Sequence, residues 1–194
     1  MIVGSGPSAA GAERELAGRG RAVRVVAVND SWRLCPDADV AYACDGAWWK
    51  ARQGLASEFA GLRLTHDAAA CATFPGLRQV GIARGRDEIL LEAPGVLGDG
   101  GNSGFQAINL AVQCGATKLI LVGFDMRLDR GIHWHGKHDR GLNNPTERNI
   151  AKWRGIIDGC APRLAELGVA VINASAVSAL EAYPKMSLIE ALQC

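Results

Sequence analysis

Apolar positions in this chain fall into short runs separated by longer stretches of helical spacing. The clearest runs are "VRVVAVN" over 23–29, "DVAYACD" over 39–45, "TKLILVGFD" over 117–125 and "VAVINA" over 169–174. Weaker ones are "LRLTH" over 61–65 and "RQVGIA" over 78–83. All are of strand length, and the near-continuous apolar character of 117–125 suits a parallel strand covered on both faces. The opening "MIVGSGPSAAG" runs two apolar residues straight into a glycine turn. A helix is predicted over 8–19, rich in Ala, Glu, Leu and Arg, ending before Gly20. A second is predicted over 103–114, with Phe105, Ile108, Leu110, Ala111 and Val112 largely on one side and Gly115 closing it. A third spans 146–167, from Thr-Glu after Pro145 to a stop at Gly168. This alternation predicts an α/β fold in three layers, a mostly parallel sheet with helices on both faces.

Two stretches lack either period: 84–101, rich in Gly, and 126–146, rich in His, Gly and Asn. The second is too long for an idle connection and is read as a lid or active-site loop. With 194 residues, the whole of 1–194 is expected to be a single domain with this loop inside it.

Composition narrows the classes. A hydrophobic share of 48% argues against disorder, and a net charge of +1 against general nucleic-acid binding. No apolar run is long enough to span a membrane. The six cysteines (Cys35, Cys44, Cys71, Cys114, Cys160 and Cys194) are scattered without a C-x-x-C pair and read as reduced thiols. With no leader-type segment ahead of the first turn, a cytoplasmic location is expected.

The chemistry concentrates at strand ends. Gly4 and Gly6 permit a tight turn where a phosphate can approach, the N–H groups that start the next helix point at such an anion, and Ser8 adds a hydroxyl. Asn29 ends the second strand at the carboxyl edge of the sheet, where open α/β folds bind ligands; its plainer reading is a turn residue, with Ser31 capping a short helix. Asp30 beside it suits a ribose contact, and Asp45 ends the third strand. Trp48 and Trp49 are read as helix packing in preference to base stacking. The stretch "GDGGNSGFQAINLAVQCGATKLILVGFDM" over 98–126 is the most specific. Asn102 and Ser103 stand at a helix start, flanked by Gly100, Gly101 and Gly104, and the following strand ends in Asp125.

Three of the four histidines lie in "HWHGKHDRGLNNP": His133, His135 and His138, followed by Asp139, Asn143 and Asn144. One reading is a metal site, since His133 and His135 would point the same way in a strand. The other is a general base over a nucleotide crevice, with Arg130, Lys137 and Arg140 offsetting phosphate charge.

Taken in order, "VGSGPS", "AVND", the 98–126 stretch, the histidine loop and "VAVINASAVSALEAYPKMSLIEAL" resemble glycosyltransferase family 42, the bacterial sialyltransferases. They equally resemble the related superfamily that includes the archaeal hydroxymethylpterin diphosphokinase, and short bacteriophage and prophage proteins with an "HxHGxH…LNNP" loop. The resemblance touches both ends of the chain, about 1–190, and implies a Rossmann-type nucleotide fold with a histidine-rich lid loop. It implies a cytidine-monophosphate sugar donor, a histidine base and no metal for transfer. It assigns nucleotide contacts to Gly4, Ser5, Gly6, Pro7, Ser8, Asn29, Asn102, Ser103, Gly104, Asp125, Asn173 and Ser175. It assigns the base to His133, His135 or His138. The chain departs from the family in being shorter and in having only two tyrosines, Tyr42 and Tyr183, neither in the loop.

The expected function is therefore a nucleotide-dependent transferase that binds a nucleoside-monophosphate-activated donor and needs no cofactor. The first alternative is a diphosphokinase-like phosphotransferase using Mg²⁺ on Asp30, Asp45 and Asp125. The second is a non-catalytic, phage-type binding protein on the same fold. The expected partners are a nucleotide or nucleotide-sugar and an acceptor of open identity, with a homo-oligomer left open.

Overall fold

The structure is a computed structural model that describes residues 1–18, 22–138 and 141–194. Gly20, Asp139 and Arg140, named above, lie outside the described residues. The strands, in chain order, are β1 (Ile2–Val3), β2 (Val26–Val28), β3 (Val40–Tyr42), β4 (Leu62–Thr65), β5 (Leu77–Gln79), β6 (Gly81–Ala83), β7 (Val96–Gly98), β8 (Lys118–Val122) and β9 (Ala170–Asn173). The α-helices are α1 (Glu13–Gly18), α2 (Gly46–Ala51), α3 (Ala68–Thr73), α4 (Ser103–Gln113), α5 (Glu147–Gly159), α6 (Ala161–Glu166) and α7 (Leu188–Gln193).

Seven strands form one sheet in the order β5-β4-β3-β2-β1-β8-β9, every pair parallel. Strand periodicity sends alternate side chains to opposite faces. Val3, Ala27, Ala41, Ile120, Val122 and Ile172 face one way, onto Leu16 of α1, Trp48 and Trp49 of α2, Ala70 of α3 and Leu188 of α7. Ile2, Val26, Val28, Tyr42, Leu119, Leu121 and Val171 face the other, onto Phe105, Ile108 and Val112 of α4, Ile157 of α5 and Leu164 of α6. Two apolar faces and two helix layers make a three-layer, Rossmann-like α/β fold. Each fully buried Leu, Ile or Phe in it contributes about 1.5–3 kcal/mol.

The chain builds outward from β1 to β5, then returns through β6, β7 and α4 to lay β8 on the other side of β1. The β1–β8 pair is thus the point where strand order reverses, and open α/β sheets bind ligands at the carboxyl edge there.

Three elements differ from the pattern-based reading. The strand expected over 78–83 is two strands: Val80 N–H bonds to Thr65 and Gly81 N–H to Gly95, so the chain changes sheet between them. β6 then pairs with β7, inside the stretch read as irregular, as a separate two-stranded sheet. Asn109 and Gln113 of α4 hold that stretch through the backbone of Leu90, Gly95, Val96 and Gly98. The helix expected over 146–167 breaks at Cys160, because Pro162 lacks an N–H and its ring excludes the carbonyl of Asp158 from an uninterrupted helix. The first helix begins as a 3₁₀ turn over Pro7–Gly11 before α1. Among the described residues no helix is long and apolar enough to cross a membrane.

Candidate functional site at the β1–β8 switch point

The two turns leaving β1 and β8 pack backbone against backbone. Gly4 N–H donates to Val122 O at 2.7 Å and Gly6 N–H to Gly123 O at 2.9 Å. A Cβ on Gly4 would lie 2.8 Å from Gly123 O, and one on Gly6 would lie 2.6 Å from the same atom. Both glycines are therefore demanded by this contact, whatever else the turn holds. Asp125 closes the join: its carboxylate accepts Ser8 N–H at 2.8 Å and the Ser8 hydroxyl. The N–H that begins the 3₁₀ turn is thus committed inside the chain.

The other wall is the start of α4. Asn102 caps it, accepting Phe105 N–H at 2.9 Å, and the first-turn N–H groups of Ser103 and Gly104 have no place in the intrahelical ladder. The Ser103 hydroxyl accepts Cys44 N–H at 3.0 Å and donates to Asn29 Oδ1 at 3.4 Å. Asn29 itself is in the left-handed region, φ 51°, which turns the chain sharply at the end of β2.

These walls enclose a cleft of ≈ 540 Å³. Of the residues singled out from the sequence, Gly4, Ser5, Gly6, Asn29, Asp45, Asn102, Ser103, Gly104, Asp125, His133 and His138 line it. Pro7, Ser8, His135, Asn173 and Ser175 are not on its wall. Asn173 and Ser175 bracket β8 from behind: Asn173 Oδ1 accepts Ser175 N–H, and Ser175 Oγ accepts Phe124 N–H. Trp153 and Ile150 of α5 and Thr146 also line the cleft. The sequence signal for them was the N-terminal capping box of α5, Thr146 with Asn149. Among the described residues Arg127 is a cation on the wall, and it also pairs with Asp129, whereas Arg130 and Lys137 are exposed and do not line it.

The histidine loop docks on the first turn, Trp134 N–H donating to Ser5 O at 3.0 Å. It is a turn and not a strand, with Gly136 at φ 87°. The His133 and His135 rings stack at 5.2 Å and 15°, and His138 lies 4.4 Å from the first and 5.0 Å from the second, centroid to centroid. One ring nitrogen from each lies within 4.8 Å of the other two. His138 N–H is held by Asn144 Oδ1 at 2.9 Å.

Behind the rings lies Asp30, 0% exposed. It accepts Arg52 Nε at 2.7 Å, Arg52 Nη2 at 3.0 Å and Trp48 Nε1 at 3.1 Å. His135 Nε2 is 3.6 Å and His138 Nδ1 3.8 Å from its Oδ2. Burial pushes the Asp30 carboxyl up, and the hydrogen bonds from Arg52 and Trp48 outweigh it and hold it below the usual carboxylate value. Burial, reinforced by His138 and His135, pushes His133 down to about 4, so its ring is neutral at pH 7. Asp30, expected at the site as a ribose or metal contact, instead turns into the core. Asp45 caps α2 through Ala47 N–H and Asp125 holds Ser8. Among the described residues these carboxylates do not gather into a metal-ligating group of three; the histidines do.

Compared with known protein families, with curated proteins and with solved structures, the chain matches none.

Proposed function

We propose that the protein is a nucleotide-dependent transferase of the sialyltransferase-like class, taking a nucleoside-monophosphate-activated donor in the switch-point cleft. One observation carries this reading: the open first turn of α4, the left-handed Asn29 and the His133 ring line a single cleft at the carboxyl edge of the sheet. The donor phosphate sits on the Ser103 and Gly104 N–H groups, at the positive end of an 11-residue helix. The nucleoside lies between Asn29, Asp45 and Trp153, and Arg127 offsets the phosphate charge. In transfer, an acceptor oxygen forms a bond to the donor carbon and the carbon–phosphate oxygen bond breaks. The nucleoside monophosphate leaves with that electron pair, and the acceptor proton departs toward His133. The likeness of "VGSGPS", "GNSGFQ" and the histidine loop to family 42 supports the same assignment.

The second reading, a metal-dependent phosphotransferase, is favoured by the convergence of the three imidazoles. Calorimetric titration of cytidine and other nucleoside monophosphates into EDTA-treated protein tests the first reading. Saturable binding of at least one is expected, and absence of heat and of any thermal shift with all of them sinks the nucleotide assignment.

A further inference from the structure

We infer that His133, His135 and His138 bind a divalent first-row transition ion, zinc foremost, with an open coordination position toward the switch-point cleft. The inference stands on the histidines alone and goes beyond the nucleotide reading. Three imidazoles from one short turn bring a nitrogen each to within 4.8 Å of the others. A tetrahedral ion at 2.0–2.1 Å from each would set those nitrogens about 3.3–3.4 Å apart. The remaining difference is on the scale that rotation of an imidazole ring covers.

The nitrogens also need a partner. His133 Nε2 and His135 Nε2 are buried and accept or donate no hydrogen bond. Two orphaned buried polar atoms side by side are unfavourable in a fold that satisfies most of its others. A cation that takes both lone pairs removes the cost.

The surroundings fix the cluster and balance its charge. The Trp134–Ser5 and His138–Asn144 bonds hold the backbone on both sides of the turn. Asp30, anchored by Arg52 and Trp48, places a buried carboxylate 3.6 and 3.8 Å from His135 and His138. The atom that faces it is His135 Nε2 itself, so this carboxylate offsets the charge of an ion held beside it. The donor set decides the ion: three imidazole nitrogens without carboxylate or thiolate in the group suit zinc, copper, iron or nickel over magnesium or calcium. His133 and His138 line the cleft while His135 lies behind them, so the unfilled position of such an ion faces the cleft. A bound ion would supply a Lewis acid on that wall and would occupy the His133 lone pair that the nucleotide reading uses as proton acceptor.

The test uses the untagged full chain, stripped with EDTA and titrated with Zn²⁺ and Co²⁺ without nucleotide. One ion per chain, a rise in melting temperature and a Co²⁺ visible spectrum free of thiolate charge-transfer bands are expected. His135→Ala tests the site off the cleft wall and should weaken Zn²⁺ by about 100-fold or more, because it removes one of the three ligands outright. His135→Gln and a circular dichroism spectrum show whether the fold survives. His66→Ala, which changes the histidine outside the loop, should bind as the parent does. The inference is overturned if the parent chain binds neither ion stoichiometrically. Zn²⁺ binding that persists in folded His135→Ala, or that is abolished by alkylating the cysteines, overturns it equally. Because no nucleotide is present, either result leaves the nucleotide reading to its own titration.

Discussion

Ser8 and Asp125, 117 positions apart, lock the two loops of the switch point together: the Ser8 N–H meets Asp125 Oδ2 at 2.8 Å and its hydroxyl meets Oδ1. An internal carboxylate stands where an anionic ligand was expected to bind at the first turn. On the proposed reading the anion position is therefore the start of α4, whose first residues line the same cleft.

The Asp125 carboxyl is pushed up by burial, which the Ser8 bonds only partly oppose. A folded-state value above the unfolded one means that the contribution is fully present below the unfolded value of about 3.8 and is lost as pH rises through the folded value. The stability of the parent chain relative to Asp125→Asn should therefore fall as pH rises above about 4. Urea unfolding of both chains from pH 3 to 7 checks it; a difference that grows with pH refutes the assignment.

Gly6→Ala should destabilise the fold by about 2–3 kcal/mol, the cost of overpacking against a backbone atom that cannot yield. Its Cβ would meet Gly123 O at 2.6 Å and Asp125 Cγ at 2.8 Å, whereas a Cβ on Gly11 meets nothing within 4 Å. Gly11→Ala serves as control and should unfold within about 0.5 kcal/mol of the parent. If Gly6→Ala keeps full stability and loses only ligand binding, the glycine serves the ligand and not the join.

Arg52→Met should cost about 3–5 kcal/mol, the usual penalty for leaving one partner of a buried ion pair alone. Asp30 has no exposure, and Arg52 supplies two of its three close hydrogen bonds. Combining the change with Asp30→Asn should recover part of the loss, which guanidinium unfolding of the single and double variants reads directly.

How much of this was legible beforehand depends on the range of the interaction. The start of α4 was visible at Asn102 and Ser103 because capping is local, and the observed Ser103–Gln113 helix departs from the expected one by a single residue at its end. The strands at 26–28, 40–42 and 118–122 were visible because both faces are covered and both therefore carry apolar residues. β7 escaped because three residues between glycine-rich turns show no period, and its neighbours are tied down by Asn109 and Gln113 from another element. At the site, Gly4 and Gly6 were legible as a turn, but their cause, contact with Gly123, joins residues more than a hundred positions apart. The histidines were legible as a cluster in sequence. Asp30 was singled out only as a ribose or metal contact; its place as their shared neighbour was not legible, because its burial depends on Arg52 and Trp48 reaching across from the α2 region.

Ser103 separates the structural role of the α4 start from its proposed ligand role. Its hydroxyl accepts Cys44 N–H and donates to Asn29, while its backbone N–H, in the first turn of α4, lies outside the intrahelical ladder beside the cleft. Ser103→Ala removes the acceptor for the Cys44 N–H and the donor to Asn29 but keeps the backbone N–H, so it should cost about 1–3 kcal/mol of stability and leave nucleoside-monophosphate affinity within about threefold. Ser103→Asp supplies an acceptor again and places a carboxylate at a helix N-terminus, where the dipole favours it by about 0.3–1 kcal/mol. The empty Ser103→Asp chain should therefore be more stable than Ser103→Ala. The same carboxylate repels a phosphate on the neighbouring N–H groups, and affinity should fall by about tenfold or more, equivalent to about 1.4 kcal/mol. Thermal unfolding of the empty chains and calorimetric titration with a nucleoside monophosphate give the two readouts. Unchanged affinity in Ser103→Asp removes the α4 start from the phosphate site, and equal losses of affinity in both variants reduce its role to packing.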